Sequence, residues 1–320
     1  MSEYQYYEFR AVDRPLSRTE QNELRAISTR ARIGAARFVN HYEWGDFKGN
    51  PDRLMERYFD LFLYFANWGS HRLSIRLPKG GLKPAGLKRF TAANDDVVVR
   101  TAGDHLIVDV SCCELERDFN DGGDGWLDKL APLRGDLIDG NLRLFYLLWL
   151  MPVEHGHVPD DAIEPLAGIN PLTPALKAFA QFFCVDGDLV EAAAEERQSP
   201  RTAGELRAAA RLVAERRSIA EEKRRQAAQR KQEREEAKAR ERRLDELARR
   251  GAAAWADVEA LIALRNAAAY ETVTTVLADL RELALRQGTD DEFHHRLAEL
   301  RTRHRTKPRL IERLNAVGLD

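Results

Sequence analysis

From Ala203 to Arg250 the chain has no proline, one glycine at Gly204, and a composition dominated by Ala, Glu, Arg, Lys and Gln. Strong helix formers stand at nearly every position and nothing interrupts the backbone ladder, so the stretch predicts one continuous helix. At ~1.5 Å per residue it would be tens of ångströms long. Between Glu221 and Arg243 the only apolar residues are Ala227, Ala228, Ala237 and Ala239, which leaves no a/d stripe for a partner helix. Glu221 with Arg225, Lys231 with Glu235 and Glu236 with Arg240 stand four apart and can support a solvated helix. The segment therefore reads as a single exposed helix more than as a coiled coil. It also concentrates charge, with 17 basic and 10 acidic residues between 201 and 250 in a chain whose formal net charge is −2. A uniformly basic nucleic-acid coat is excluded, while local basic surfaces are not.

This helical spacer, 203–250, divides the rest. Residues 1–150 alternate strand and helix signals. Tyr4 to Phe9 is aromatic-rich and strand-like. Ser17 and Glu20 match a capping box, with Leu24 and Ile27 on the apolar face of the helix that follows. Phe38, Asn40, Tyr42 and Trp44 fall at period two, and Asn50 can cap a helix with Pro51 at its first position. That helix is expected to run to about Trp68, placing Leu54, Tyr58, Leu61, Phe62 and Phe65 on one face and ending at Gly69. Leu73, Ile75 and Leu77 alternate with Arg72, Ser74 and Arg76, predicting a strand with one dry and one wet side. Val97 to Thr101 and Leu106 to Val110 read as a hairpin. A sheet with helices on one face, a small α/β sandwich head, would bury these stripes.

Residues 151–202 hold nine Asp or Glu against Lys177, Arg197 and Arg201, and five prolines before Pro200. They read as an acidic connector with one helix, Thr173 to Phe183. After Gly251 apolar periodicity returns at Trp255, Val258, Leu261, Ile262 and Leu264, at Val273, Val276, Leu277 and Leu280, and at Phe293, Leu297 and Leu300. Three short helices would form a tail domain over 251–320. The fold class is thus α+β: a small sandwich head, a long charged exposed helix and a short helical C-terminal domain.

Candidate chemistry is sparse. No G-x-S-x-G, H-E-x-x-H, P-loop or Rossmann glycine pattern occurs, which leans away from an enzyme. His155-Gly156-His157 with Asp160 and Asp161 offers metal-binding side chains but no specific zinc spacing. Asp121, Asp124 and Asp128 sit among glycines without the EF-hand pattern. Cys112-Cys113 with His105 or His71 would be a nucleophile and base without a third member. His294 and His295 are adjacent and cannot face one ion from a helix. The densest polar-aromatic cluster is Asn40, His41, Tyr42, Glu43, Trp44, Asp46 and Lys48, at a strand end opening into a loop, where binding groups commonly sit. With His71 it forms the candidate head site. In the tail, Arg296, Arg301, Arg303, His304, Arg305, Lys307, Arg309 and Arg313 make a basic surface able to contact phosphates or an acidic partner.

The N-terminal block running through YQYYEF, WGDFKG and YFANWG resembles a family of uncharacterised bacterial proteins, and no activity travels with it. The stretch from AWADVEALIALRNAAAYE to RLIERLNAVGL is similar to the helical tails of bacterial SWIM zinc-finger proteins. That family's C-x-C and C-x-H metal motif is missing, so zinc binding does not carry over. What the resemblance implies is association with nucleic-acid-handling machinery, beside a helicase for example.

The expectation is a non-enzymatic adaptor, with a protein partner at the head and nucleic acid or a nucleic-acid-handling protein at the tail. The alternative is a hydrolase or nuclease using His41, Glu43, Asp46 and His71. No cofactor and no metal is expected. Three cysteines are too few for a disulfide framework, and the first residues lack a basic segment followed by an apolar run. The longest apolar stretch, Leu142 to Val153, is too short to span a bilayer. A cytoplasmic location with no membrane contact follows as an expectation.

Overall fold

The structure, a computed structural model, describes residues 3–113, 115, 122–195 and 199–319. The chain forms two compact units, Met1–Ile219 and Ala220–Asp320. The divisions expected at 150 and 202 are therefore not where the structure separates.

The first unit is built on strands β1 (Gln5–Arg10), β2 (Arg32–Ile33), β3 (Arg37–Tyr42), β4 (Leu61–Ala66), β5 (His71–Pro78), β6 (Val97–Ala102) and β7 (His105–Cys112). They form one antiparallel sheet in the order β2-β3-β1-β4-β5-β7-β6. Helices α1 (Arg18–Ile27) and α2 (Pro51–Arg57) are interspersed. Ser17 and Glu20 form the expected capping box on α1, and Asn50 caps α2 with Pro51 at its start.

The expected long helix from Pro51 to Trp68 does not form: α2 stops at Arg57, and Leu61 to Ala66 is a strand. LFLYFA is a continuous apolar run because β4 lies inside the sheet and is covered on both faces, a pattern that periodicity alone cannot separate from a buried helix. Leu61, Leu63 and Phe65 face one core while Phe62 and Tyr64 face the other. Gly69 ends no helix; at φ +92° it turns β4 into β5. The wet side expected on β5 is also covered. Ser74 and Arg76 are buried, and Arg72 is held by Asp109 and Asp52.

Helices lie on both faces of the sheet, not on one. α1 and α2 cover Tyr7, Phe9, Phe38 and Phe62. The opposite face is covered by α3 (Pro84–Thr91), α4 (Trp126–Leu130), α5 (Pro132–Ile138), α6 (Arg143–Glu154), α7 (Pro174–Phe182), α8 (Gly187–Ala193) and the first turns of α9 (Ala203–Arg250). α6 is buried from Leu144 to Val153, so its all-round apolarity marks a core helix. Among the described residues no helix is long and apolar enough to cross a membrane.

The stretch expected to be a connector belongs to this core. Leu176, Phe179, Phe182, Phe183, Leu189 and Val190 are buried in it, and Thr173 caps α7 as its sequence suggests. Glu164 accepts from the Arg201 amide at 2.7 Å and from the Tyr146 hydroxyl, which ties the stretch to the start of α9.

α9 is one helix of 48 residues, as its composition requires. Its first turns bury Ala203, Leu206, Ala210 and Val213, and its last turns bury Leu244 and Leu247. Residues 214–243 are exposed apart from half-buried Glu222. Its ion pairs differ from those expected. Arg225 pairs with Glu222 and Lys238 with Glu235, three apart, while Arg240 reaches Glu282.

The second unit adds α10 (Ala252–Ala263), α11 (Ala267–Gln287), α12 (Asp290–Arg303) and, beginning at Pro308, α13 (Pro308–Ala316). Val258, Ile262, Val273, Leu277, Phe293, Leu297, Leu300, Leu310 and Leu314 form its core. Leu264 is exposed because α10 has already ended.

Candidate functional site

The start of β1 lies between two strand ends, with Gln5 opposite Tyr42 of β3 and opposite Ala66 of β4. Just beyond those partners the chain turns, and each turn carries a tryptophan. Trp44 is 76% exposed and Trp68 47% exposed, so the same end of the sheet presents two indole surfaces to solvent. Tyr4 lies between them, its amide donating to Asn67 Oδ1 at 2.9 Å, and the His41 ring stacks on it. Burial raises the Tyr4 hydroxyl above its ordinary value; the Gly123 amide opposes this, while nearby Asp124 and Glu43 add to it. The surroundings are thus acidic as well as aromatic.

The expected head residues divide accordingly. His41, Glu43, Trp44 and Lys48 are exposed at this end. Tyr42 faces the core side, packed edge-on against Tyr7, and its hydroxyl accepts from Asn40 Nδ2 at 2.7 Å. Asp46 accepts from Gln5 Nε2 at 3.0 Å. His71 does not join them. It is fully buried on β5, three strands from His41 in the row His41, Tyr6, Phe65, His71, with Nδ1 2.7 Å from the Phe182 carbonyl. That separation is roughly 14 Å at the usual strand spacing. Trp68 escapes the sequence reading because FANWGS reads as the end of a helix, and Tyr4 because it reads as one more residue of an aromatic strand.

Of the aspartates considered for calcium, Asp121 lies outside the described residues. Asp124 contacts Arg37 at 3.5 Å and Asp128 contacts Arg10 at 2.6 Å. Both guanidinium groups also bind buried Glu8, so these carboxylates serve an ion-pair network.

In the second unit most of the expected basic surface is engaged internally. Arg301 donates to the Leu319 carbonyl and to Asn315 Oδ1, both at 2.7 Å. Arg303 and His304 share Glu259, Lys307 Nζ donates to the Ile262 carbonyl at 3.1 Å, and Arg296 lies over the Trp255 ring. Arg305 and Arg309 are exposed and Arg313 is half-buried. Among the described residues these three make no internal ion pair, and neither does exposed Arg296. Sequence alone counted eight because it does not show that α13 is held in place by guanidinium groups.

A cavity of about 630 Å³ in the first unit gathers residues that the sequence offered separately. Cys112 and Cys113 at the end of β7, Asn94 to Asp96 before β6, Met151 to His157 at the end of α6, and Phe183 to Val185 after α7 line it. His155 Nδ1 lies 2.9 Å from the Met151 carbonyl, and the His155 and His157 rings stack with centroids 5.9 Å apart. Cys112 Sγ lies 3.4 Å from Asp96 Oδ2. Burial, reinforced by Asp96, raises the Cys112 thiol far above its ordinary value, which opposes a nucleophilic role. His71 stands opposite Cys112 in the sheet with its Nδ1 on the Phe182 carbonyl, and His105 lies at the far end of β7. Asp160 is held by Arg207, away from this lining. Comparison with known proteins gives no match to a family model, to a curated protein or to a solved structure.

Proposed function

We propose that this chain is a non-enzymatic adaptor. Its first unit recognises a protein partner through the sheet end carrying Trp44 and Trp68, and its second unit contacts nucleic acid or a nucleic-acid-handling complex. The observation that carries the reading is the pair of exposed indoles at one sheet end. Large aromatic side chains cost stability when left in water, and they are the residues most enriched at the buried centres of protein interfaces. Glu43 and Asp124 beside them favour a partner segment rich in Lys or Arg. The charge division agrees: the first unit has 33 acidic and 28 basic residues, the second 19 acidic and 22 basic. The likeness of the tail to those of SWIM proteins supports the same assignment. The alternative enzyme needs His41, Glu43, Asp46 and His71 within reach of one substrate, and no observation favours it over the adaptor.

Replacing Trp44 and Trp68 together by alanine should abolish partner capture in a quantitative pull-down while leaving the thermal midpoint within about 2 °C, because exposed side chains contribute little to folding. Capture of the same proteins in the same amounts by this variant would remove the head assignment.

For the second unit, the triple change Arg305→Glu, Arg309→Glu and Arg313→Glu spares the guanidinium groups that hold α13. It should weaken binding to labelled DNA uniformly across sequences and reduce the salt slope by roughly three. Salt-titrated fluorescence anisotropy measures both. A slope equal to that of the unmodified chain would exclude these residues as phosphate contacts.

A further inference from the structure

We propose that one face of α9, from Lys223 to Arg242, is a binding surface for the phosphate backbone of a nucleic-acid duplex. The proposal rests on the reading that the second unit contacts nucleic acid, and it names a contact distinct from Arg305, Arg309 and Arg313.

At ~3.6 residues per turn, Lys223, Arg230, Arg234 and Lys238 fall along one line of the helix with Ala227, flanked by Arg224, Lys231 and Arg242. These seven cations share their face with two carboxylates, Glu235 and Glu241. The opposite face sets Arg225, Arg240 and Arg243 against Glu221, Glu222, Glu233 and Glu236. Charge that is mixed along the sequence is thus divided around the helix axis.

Contacts keep the two sets apart. Glu222 accepts from Arg225 and from Gln226 at 2.8 Å, Glu233 from Gln229 at 3.0 Å, and Glu236 from Gln232 at 2.8 Å. These glutamates are therefore engaged by residues other than the seven. Arg240 pairs with Glu282 and Arg243 lies 3.9 Å from Asp279, which turns the far face toward α11 and leaves the basic face outward. Of the seven cations, among the described residues only Lys238 makes an ion pair, with Glu235 at 3.9 Å. All seven are exposed, and Arg230, Lys231, Arg234 and Lys238 border one concavity over Ala227.

The shape and chemistry of this stripe select its occupant. At ~1.5 Å per residue it runs ~28 Å in a straight line, and a duplex offers one negative charge per ~1.7 Å of its axis. No aromatic residue lies between 214 and 250, so unpaired bases have nothing to stack on and a duplex is favoured over a single strand. The only apolar side chains between Lys223 and Arg242 are alanines, which gives the face nothing to insert into a bilayer. Contacts made to phosphates carry no sequence information, so the binding is indifferent to sequence.

The test titrates the full chain against a labelled DNA duplex across a salt series, read by fluorescence anisotropy. Lys223→Gln, Arg230→Gln, Lys231→Gln and Arg234→Gln together replace good helix formers by another, so circular dichroism should show an unchanged helix. This variant should lower the salt slope by roughly three to four and weaken binding about a hundredfold or more near ~0.1 M salt. Arg225→Gln with Arg243→Gln, on the far face, should change the slope by less than about one. An unchanged slope in the fourfold variant, the same loss per charge in the far-face pair, or equally tight binding to phosphatidylserine vesicles would each overturn the proposal. A loss confined to the variant at Arg305, Arg309 and Arg313 would overturn it while leaving those residues as the phosphate contacts. A loss confined to the α9 variant would uphold it and remove them. An unmodified chain that binds no duplex at low salt would overturn both.

Discussion

A fragment ending at residue 150 is expected to be insoluble or to lack a cooperative transition, whereas one ending at Ile219 should unfold in a single step. The shorter fragment keeps every strand of the sheet but loses α7, α8 and the first turns of α9 from one of its faces. With them go Leu176, Phe179, Phe182, Phe183, Leu189, Val190, Leu206 and Val213, all buried in the whole unit. Burying one such side chain is worth ~1.5–3 kcal/mol, and a domain's net stability is only ~5–15 kcal/mol, so their combined loss exceeds what the fold can spare. The fragment would expose the apolar faces of α4 and α6 that these residues cover. Circular dichroism with thermal unfolding, and size exclusion, measure the difference. A sharp, monomeric transition for the 150-residue fragment at the midpoint of the longer one would defeat the assignment of α7 to α9 to the first core.

The same segment shows where reading the sequence runs out. Residues 151–202 look like a connector because their acidic residues and prolines are conspicuous, yet the apolar residues between those signals are the ones that pack. Local rules held wherever one short-range interaction decides the structure: the Ser17 capping box, Asn50 and Pro51 at the start of α2, the hairpin turning near Gly103, and the uninterrupted helix from Ala203. They failed where tertiary burial decides. LFLYFA reads equally as a helix face or as a strand covered on both sides, and only the neighbouring strands β1 and β5 select the strand. Arg72 and Arg76 suggested a wet face because sequence does not reveal that Asp109, Asp52 and Asp60 sit opposite them.

The candidate sites follow the same division. Trp44 was legible as part of a polar-aromatic cluster, but its companion Trp68 was hidden by the misassigned helix. His155 with His157, and Cys112 with Cys113, were each visible as short motifs. Their meeting with Cys184 in one cavity depends on how α6, α7 and β7 pack, and no linear spacing encodes that. In the tail the limit runs in the opposite direction, since four of eight basic residues close in sequence, Arg301, Arg303, His304 and Lys307, are engaged by internal contacts that no local pattern reveals.

Asp60→Ala is expected to lower the stability of the first unit by about 3–5 kcal/mol, the usual cost of breaking a buried ion pair by removing one member. Asp60 is 1% exposed and stands just before β4. Its carboxylate accepts from the Val12 amide at 2.6 Å, the Asp13 amide at 3.0 Å and Arg76 Nη2 at 2.9 Å, and Arg134 Nη2 lies 3.7 Å away. One side chain thus joins the exit of β1, the middle of β5 and helix α5, and its removal strands two amides and weakens the pairing of two buried guanidinium groups. At ~2–4 °C per kcal/mol for a domain of this size, the midpoint should fall by roughly 10 °C. The pH dependence has a definite sign. Burial alone would raise the carboxyl, but the Asp13 and Val12 amides and the Arg76 guanidinium outweigh it and hold it below its ordinary value. A group depressed in the folded state contributes stability that is fully present above its unfolded value, near ~3.9 for Asp, and is lost as pH falls through the folded value. The difference between the unmodified protein and Asp60→Ala should therefore be constant from neutral pH down to about 5 and shrink at more acid pH. Urea denaturation of both proteins across that range measures it. A gap that stays constant into the acid range would show that the carboxylate's charge is not what joins these three elements, and a gap below about 1 kcal/mol at neutral pH would show that the network tolerates losing its centre.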